Sequence, residues 1–192
     1  MKLEKIYCRI WECLALATNE GRHPFATVQV ATIGVDGAPD VRTVMLRSVS
    51  EEKNLVTFHT DLRSPKIAEL DRDPRIALVG VDSIRNIQLR ITGEARIVRD
   101  GATRRDAWKS SPDHRLSVYR TRLAPGTPID DPEDAFGGSA NVAGDDAGFA
   151  HFCVVEVRPA LLEWLEHSVA DRHERARFVR HGDQWIETWV AP

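Results

Sequence analysis

Long apolar runs are missing from this chain. Its most hydrophobic stretches, such as Cys13–Ala17 and Phe152–Val155, are far shorter than the roughly 20 residues a helix needs to cross a bilayer. Cysteine is scarce as well. Cys8, Cys13 and Cys153 are odd in number and lack the paired spacing of a metal site, so neither a disulfide scaffold nor a bound metal is expected, and a reducing cytoplasm is. No charge of one sign dominates: 26 Lys plus Arg stand against 29 Asp plus Glu, a formal −3. That balance argues against a nucleic-acid binder working through the phosphate backbone. Lys2, Glu4 and Lys5 stand where an export signal would have its apolar core. Catalytic signatures are missing too. Neither G-x-G-x-x-G nor G-x-x-x-x-G-K occurs, Gly137-Gly138-Ser139-Ala140-Asn141 fails G-x-S-x-G at its last position, and His167 and His173 are too far apart for H-E-x-x-H. Chemistry that the side chains do not advertise points to a borrowed cofactor or to pure binding.

What is present suits one soluble domain: 192 residues, 42% hydrophobic, are enough to bury a core without staples. Residues 4–18 carry Ile6, Ile10, Cys13, Leu14 and Ala17 at helical spacing, which predicts an amphipathic opening helix. His23-Pro24 ends it. Phe25–Ile33, the turn Gly34–Pro39 and Asp40–Val49 read as a hairpin, and residues 54–60 as a third strand. Ser64 and Pro65 then have the order of an N-cap and a first helical residue. Arg75–Val81 and Ile87–Val98 read as strands, 102–109 as a helix continued in part by 113–121, and His151–Val157 as a strand. Leu161–Glu166 reads as a further extended piece, and Arg175–Arg180 with Gln184–Val190 as a closing hairpin. Strand follows strand without intervening helices, which favours an antiparallel barrel or sandwich. Between Ala124 and Phe149 lie six acidic residues, five Gly, three Pro and no Lys or Arg. Such a segment reads as a long loop, able to cover a cavity as a lid.

One constellation stands out. Arg42-Thr43-Val44-Met45-Leu46-Arg47 sets two cations in a strand that otherwise reads as buried. Soon after, Phe58-His59-Thr60 leads to Ser64-Pro65-Lys66, where hydroxyls, a helix start and a Lys make a plausible phosphate seat. Gln88 offers an amide in a β-rich run, and Gly93 permits a bulge or a close backbone approach.

The ordered set Arg42-x-Val44-x-Leu46-Arg47, Phe58-x-Thr60-x-x-x-Ser64-x-Lys66 and Gln88 with Gly93 resembles the flavin-binding half of pyridoxamine 5'-phosphate oxidase and its relatives. Trp164, Asp171-Arg172-His173-Glu174-Arg175, Asp183-x-Trp185 and Ala191-Pro192 are similar to that family's carboxyl-terminal dimerisation segment, here 152–192. The resemblance implies a mainly β, six-stranded antiparallel split barrel with flanking helices, filling residues 1–192 as a single domain. It implies a homodimer with FMN at the subunit interface. Arg42 and Lys66 would neutralise the FMN phosphate, and Ser64 and Thr60 would donate to it. Val44, Met45 and Leu46 would line the flavin, with Arg47 and His59 beside it, and Gln88 and Arg175 would arrive from the other chain. His173 matches the oxidase's active-site His. Elsewhere the sequence departs from the oxidase: Pro65, Leu165 and Asp171 replace an Arg, a Trp and an Arg, and the Tyr and Arg for the substrate phosphate are missing around Ala107–Pro112. The resemblance therefore implies an FMN-dependent oxidoreductase acting on a small substrate other than pyridoxamine 5'-phosphate. Alternatives are a non-catalytic flavin-binding sensor or carrier, or a split barrel holding haem or a deazaflavin.

Overall fold

Apolar spacing forms the first element where the sequence predicts it. Helix α1 (Leu3–Asn19) buries Ile6, Ile10, Trp11, Leu14 and Ala17 and leaves Cys13 half-buried at the margin of that stripe. This computed structural model describes residues 2–19, 23–135, 146, 148–167 and 173–192. Asp171, Arg172, the Gly137–Asn141 run and much of the acidic loop read above as a lid lie outside the described residues.

Pro24–Ala26 is a single 3-10 turn rather than the start of a strand, and the His23 ring accepts from the Phe25 N–H at 3.2 Å. Eight antiparallel strands follow: β1 (Thr27–Ile33), β2 (Pro39–Ser50), β3 (Leu55–Asp61), β4 (Arg75–Asp82), β5 (Ile87–Val98), β6 (Phe152–His167), β7 (His173–His181) and β8 (Gln184–Val190). Their order is β3-β2-β1-β4-β5-β6-β7-β8, and a further pairing of β3 with β6 closes the first six into a barrel. Strands β7 and β8 extend the sheet beyond it. This is the split barrel that the resemblance implies.

The pieces read as His151–Val157 and Leu161–Glu166 are one strand, β6. Its first half bonds β3 and its second half β7, while β5 runs along its other edge. Pro159 has no N–H to give the ladder, and the register shifts at that point, between Thr92 and Gly93 of the facing strand. A Cβ on Gly93 would lie 2.0 Å from the Arg158 carbonyl oxygen, so only glycine allows the two strands to meet there.

Two cores result. Inside the barrel, Phe25, Phe58, Trp164 and Phe178 are fully buried with Val155 and Val157, and α1 packs against β2, β7 and β8. Each such side chain contributes about 1.5–3 kcal/mol. The second core lies outside the barrel. Successive β6 residues alternate faces, so Phe152 and Val154 point away from Val155 and meet Trp108, Leu116 and Tyr119. Those three come from α3 (Gly101–Ser110), α4 (Asp113–Leu116) and a 3-10 turn at Ser117–Arg120; Pro112 breaks the longer helix expected there. Helix α2 (Pro65–Arg72) connects β3 to β4.

Candidate cofactor-binding site

Strand β3 runs into α2 at a polar corner. Ser64 is the N-cap of α2 and Pro65 its first residue, as read from the sequence, but the Ser64 hydroxyl makes no capping bond. It accepts instead from Lys66 Nζ at 2.5 Å, and Thr60 Oγ1 accepts from the same nitrogen at 3.0 Å. Lys66 has no carboxylate partner among the described residues. The nearby Asp61 is held by Arg63 at 2.7 Å, and Glu69 by Arg42 at 2.7 Å. Burial first, then the Arg42 charge, push the Lys66 ammonium below its ordinary 10.5. A half-buried cation ringed by hydroxyls at the start of a helix lacks only an anion.

Arg42 shares this corner from β2, but its charge is already divided. Its guanidinium donates to Asp40 at 2.6 Å and Glu69 at 2.7 Å, and also to Thr32. Neither carboxylate was singled out in the sequence. Asp40, two residues before Arg42 on one strand, was legible by period, whereas Glu69 is brought in only by the fold.

Strand β2 supplies a flat, half-open wall. Pro39–Met45 bond β1, but only Leu46–Ser50 bond β3. Over residues 40–45, the edge facing away from β1 therefore carries backbone N–H and C=O groups with no strand partner among the described residues. Val44 is half-buried against the core, Leu46 is buried, and Met45 and Val41 are exposed. An apolar strand with an open polar edge suits a flat heterocycle.

Arg47 sits at a bulge, since Leu46 faces Phe58 but Ser48 faces Thr57. Its neighbour His59 packs edge-to-face on Phe152 with centroids 4.8 Å apart. Burial first, and then Arg47 and Arg115, push His59 down to about 4, so it is neutral near pH 7. Both side chains line a cavity of about 460 Å³ between the outer barrel face and α3–α4. Arg115, on α4, lines it too and was missed in the sequence, where nothing links it to Arg47.

Gln88 and Arg175 do not join the Lys66 corner. Ala95, which bonds Pro74 beyond α2, is seven residues along β5 from Gln88, about 23 Å at strand rise. Arg175, on β7, pairs with buried Glu163 at 2.7 Å, alongside Arg177 at 3.4 Å and Arg90 at 3.6 Å. His173 is exposed at the start of β7, its Nδ1 3.1 Å from that of His167. Among the described residues no group of three or more His, Cys, Asp or Glu could hold a metal ion.

Residues 10–99, which include the whole Arg42–Lys66 corner, match the family model described as "Pyridoxamine 5'-phosphate oxidase, FMN-binding domain". Over those residues the chain is similar to the FMN-binding domain of the pyridoxamine 5'-phosphate oxidases. FMN is the cofactor this match indicates, and the hydroxyl-ringed Lys66 with the open β2 edge fits a phosphate joined to a flat ring. A pyridoxine/pyridoxamine 5'-phosphate oxidase of Thermosynechococcus vestitus is 29% identical over 96% of this chain and 86% of its own length. Pyridoxine/pyridoxamine 5'-phosphate oxidase 2 of Arabidopsis thaliana is 36% identical over 84 residues, 44% of this chain and 42% of that protein. Among solved structures, a pyridoxamine 5'-phosphate oxidase-related FMN-binding protein of Nostoc punctiforme superposes with a TM-score of 0.77 at 22% identity, covering 96% of this chain and 97% of that one. PhzG of Burkholderia lata, solved with tetrahydrophenazine-1-carboxylic acid, gives 0.76 at 18% identity over 97% and 92%. At such identities the two structures show the shared fold.

Proposed function

We propose that the chain is an FMN-dependent oxidoreductase acting on a small molecule, built as a homodimer with a cofactor site at each subunit interface. The observation that carries this reading is the uncompensated Lys66 ammonium beside the open edge of β2. Lys66 holds the phosphate, Ser64 and Thr60 turn their hydroxyls to it, and Arg42 adds what charge Asp40 and Glu69 leave it. Val44, Met45 and Leu46 line the ring, with Arg47 and His59 at its border. When bound, FMN supplies a ring that takes two electrons from one reactant and passes them to another.

Gln88 and Arg175 complete the site from the second copy, because neither reaches the Lys66 corner of its own chain. His173, two residues before Arg175 on the same face of β7, enters with it as the group that exchanges a proton with substrate. Exposed Val41, Met45, Val81, Ile186 and Trp189 give the outer surface apolar area for a partner, and segment 152–192 supplies much of the dimer contact. No helix among the described residues is long and apolar enough to cross a membrane. Three free thiols suit a reducing, cytoplasmic setting.

Turnover is the test. FMN-loaded protein mixed anaerobically with small reductants, and then with oxygen or other acceptors, should bleach and recover at 450 nm faster with one reactant than the free cofactor does. Rates equal to those of free FMN across a broad panel would make this a flavin carrier.

A further inference from the structure

The cavity that Arg47 and His59 line is not filled by what the cofactor reading needs. Its floor is the outer face of β2, β3 and β6; its roof is α3 and the turn into α4. Two guanidinium groups enter it from opposite walls, Arg47 from the bulge in β2 and Arg115 from α4. Neither has a carboxylate partner among the described residues. The Arg47 side chain reaches only Met45 Sδ, at 3.9 Å. Burial and the charge of Arg115 hold Arg47 below its ordinary value, so the two cations feel each other without an anion between them.

Apart from Thr103, Asp106 and His59, the other polar groups of the lining are already occupied. Ser110 Oγ and Ser111 Oγ donate to the Ala107 carbonyl, and Ser48 and Thr57 bond each other. Glu156 is held by Arg96 at 2.6 Å. Asp106 stands exposed on α3 at the rim. His59 faces both guanidiniums as a neutral ring. The donors left for a ligand are thus two planar forks, the ring N–H of neutral His59 and the exposed Thr103 hydroxyl, in a half-apolar slot with two carboxylates in the lining. A tetrahedral dianion would be repelled by Asp106 and Glu156 more strongly than a single carboxylate, whose planar shape also takes paired N–H bonds from such forks.

We propose that this cavity is the substrate pocket and that Arg47 and Arg115 hold the carboxylate of a small, flat carboxylic acid there. The proposal rests on the oxidoreductase reading, because Arg47 directly follows the residues assigned to the ring, so a carboxylate on Arg47 places the attached group beside it. Arg115 is then a specificity-determining residue that the flavin itself does not touch.

Calorimetry with three probes tests this. Benzoate, its uncharged amide benzamide, and inorganic phosphate are titrated into FMN-loaded protein and into its Arg115→Ala, Arg115→Lys and Arg47→Ala forms. Benzoate should bind once per chain and benzamide at least tenfold more weakly. Phosphate should bind more weakly than benzoate. Arg115→Ala and Arg47→Ala should each lose at least tenfold in benzoate affinity, with Arg115→Lys recovering part of it, and Arg115→Ala should retain FMN as the parent does. Phosphate binding as tightly as benzoate would overturn the carboxylate assignment. Absent benzoate binding, or binding unchanged in Arg115→Ala, would overturn the pocket. Protein that retains no FMN sinks the cofactor reading instead, and the same titrations on the FMN-free protein still decide the pocket.

Discussion

Replacing Lys66 with Met keeps the length and apolar stem of the side chain and removes only the ammonium. In the FMN-free protein that ammonium is half-buried, bonded to two hydroxyls and close to the Arg42 cation. Its loss should leave the melting temperature unchanged or slightly higher, since a desolvated like charge is removed. FMN binding should suffer. A charge-assisted hydrogen bond is worth about 1.5–3 kcal/mol, which is roughly a tenfold to 150-fold rise in Kd. Thr60 and Ser64 remain, and Arg42 is too committed to Asp40 and Glu69 to replace the lost charge. The pH dependence has a definite sign. Lys66 titrates below 10.5 in the free fold, so the cost of burying its charge is present at neutral pH and fades as pH rises through the lowered value. FMN affinity, which needs the charge, should be flat near neutrality and fall over that same alkaline rise. Quenching of FMN fluorescence, titrated with parent and variant from neutral to alkaline pH, measures both effects. A Kd within twofold of the parent, or an affinity that climbs with pH, would refute the phosphate seat.

Asp40→Asn should free part of the Arg42 guanidinium and tighten FMN binding two- to fivefold, the scale of one partly exposed ion pair; fluorescence titration again decides, and weaker binding would contradict it. His59 titrates near 4 rather than 6.5, so its contribution to stability is whole above pH 6.5 and is lost as pH falls toward 4. Urea unfolding should show about 2–3 kcal/mol of acid sensitivity between pH 7.5 and 4.5 that His59→Phe lacks. Gly93→Ala would set a Cβ against the Arg158 carbonyl; a cost of roughly 1–3 kcal/mol should lower the melting temperature by about 2–12 °C, and an unchanged melt would mean the bulge yields easily.

Periodicity made most of the barrel readable. The stripe Ile6–Ile10–Leu14–Ala17 set α1, and β-branched runs separated by Gly and Pro marked the strands to within a few residues. The reading failed where tertiary structure overrode a local signal. His151–Val157 and Leu161–Glu166 read as separate pieces, but Pro159 between them sits at a bulge inside the single strand β6. Phe25 looked like strand and is turn, because the His23 ring caps the N–H that a ladder would have used. At the site, Thr60, Ser64 and Lys66 converge within a few residues of one another, and their grouping was legible. Glu69 lies 27 residues from Arg42, and Arg115 is 68 residues from Arg47. Only closure of the sheet and packing of α3 and α4 over its outer face bring such pairs together, and no periodicity announces them.

The most direct test of the account is the visible absorbance of the purified protein, recorded after FMN is added and the mixture is passed through a gel-filtration column. Flavin bands should elute with a species of twice the chain mass, at one FMN per chain. A colourless protein that releases all added FMN would contradict the central claim.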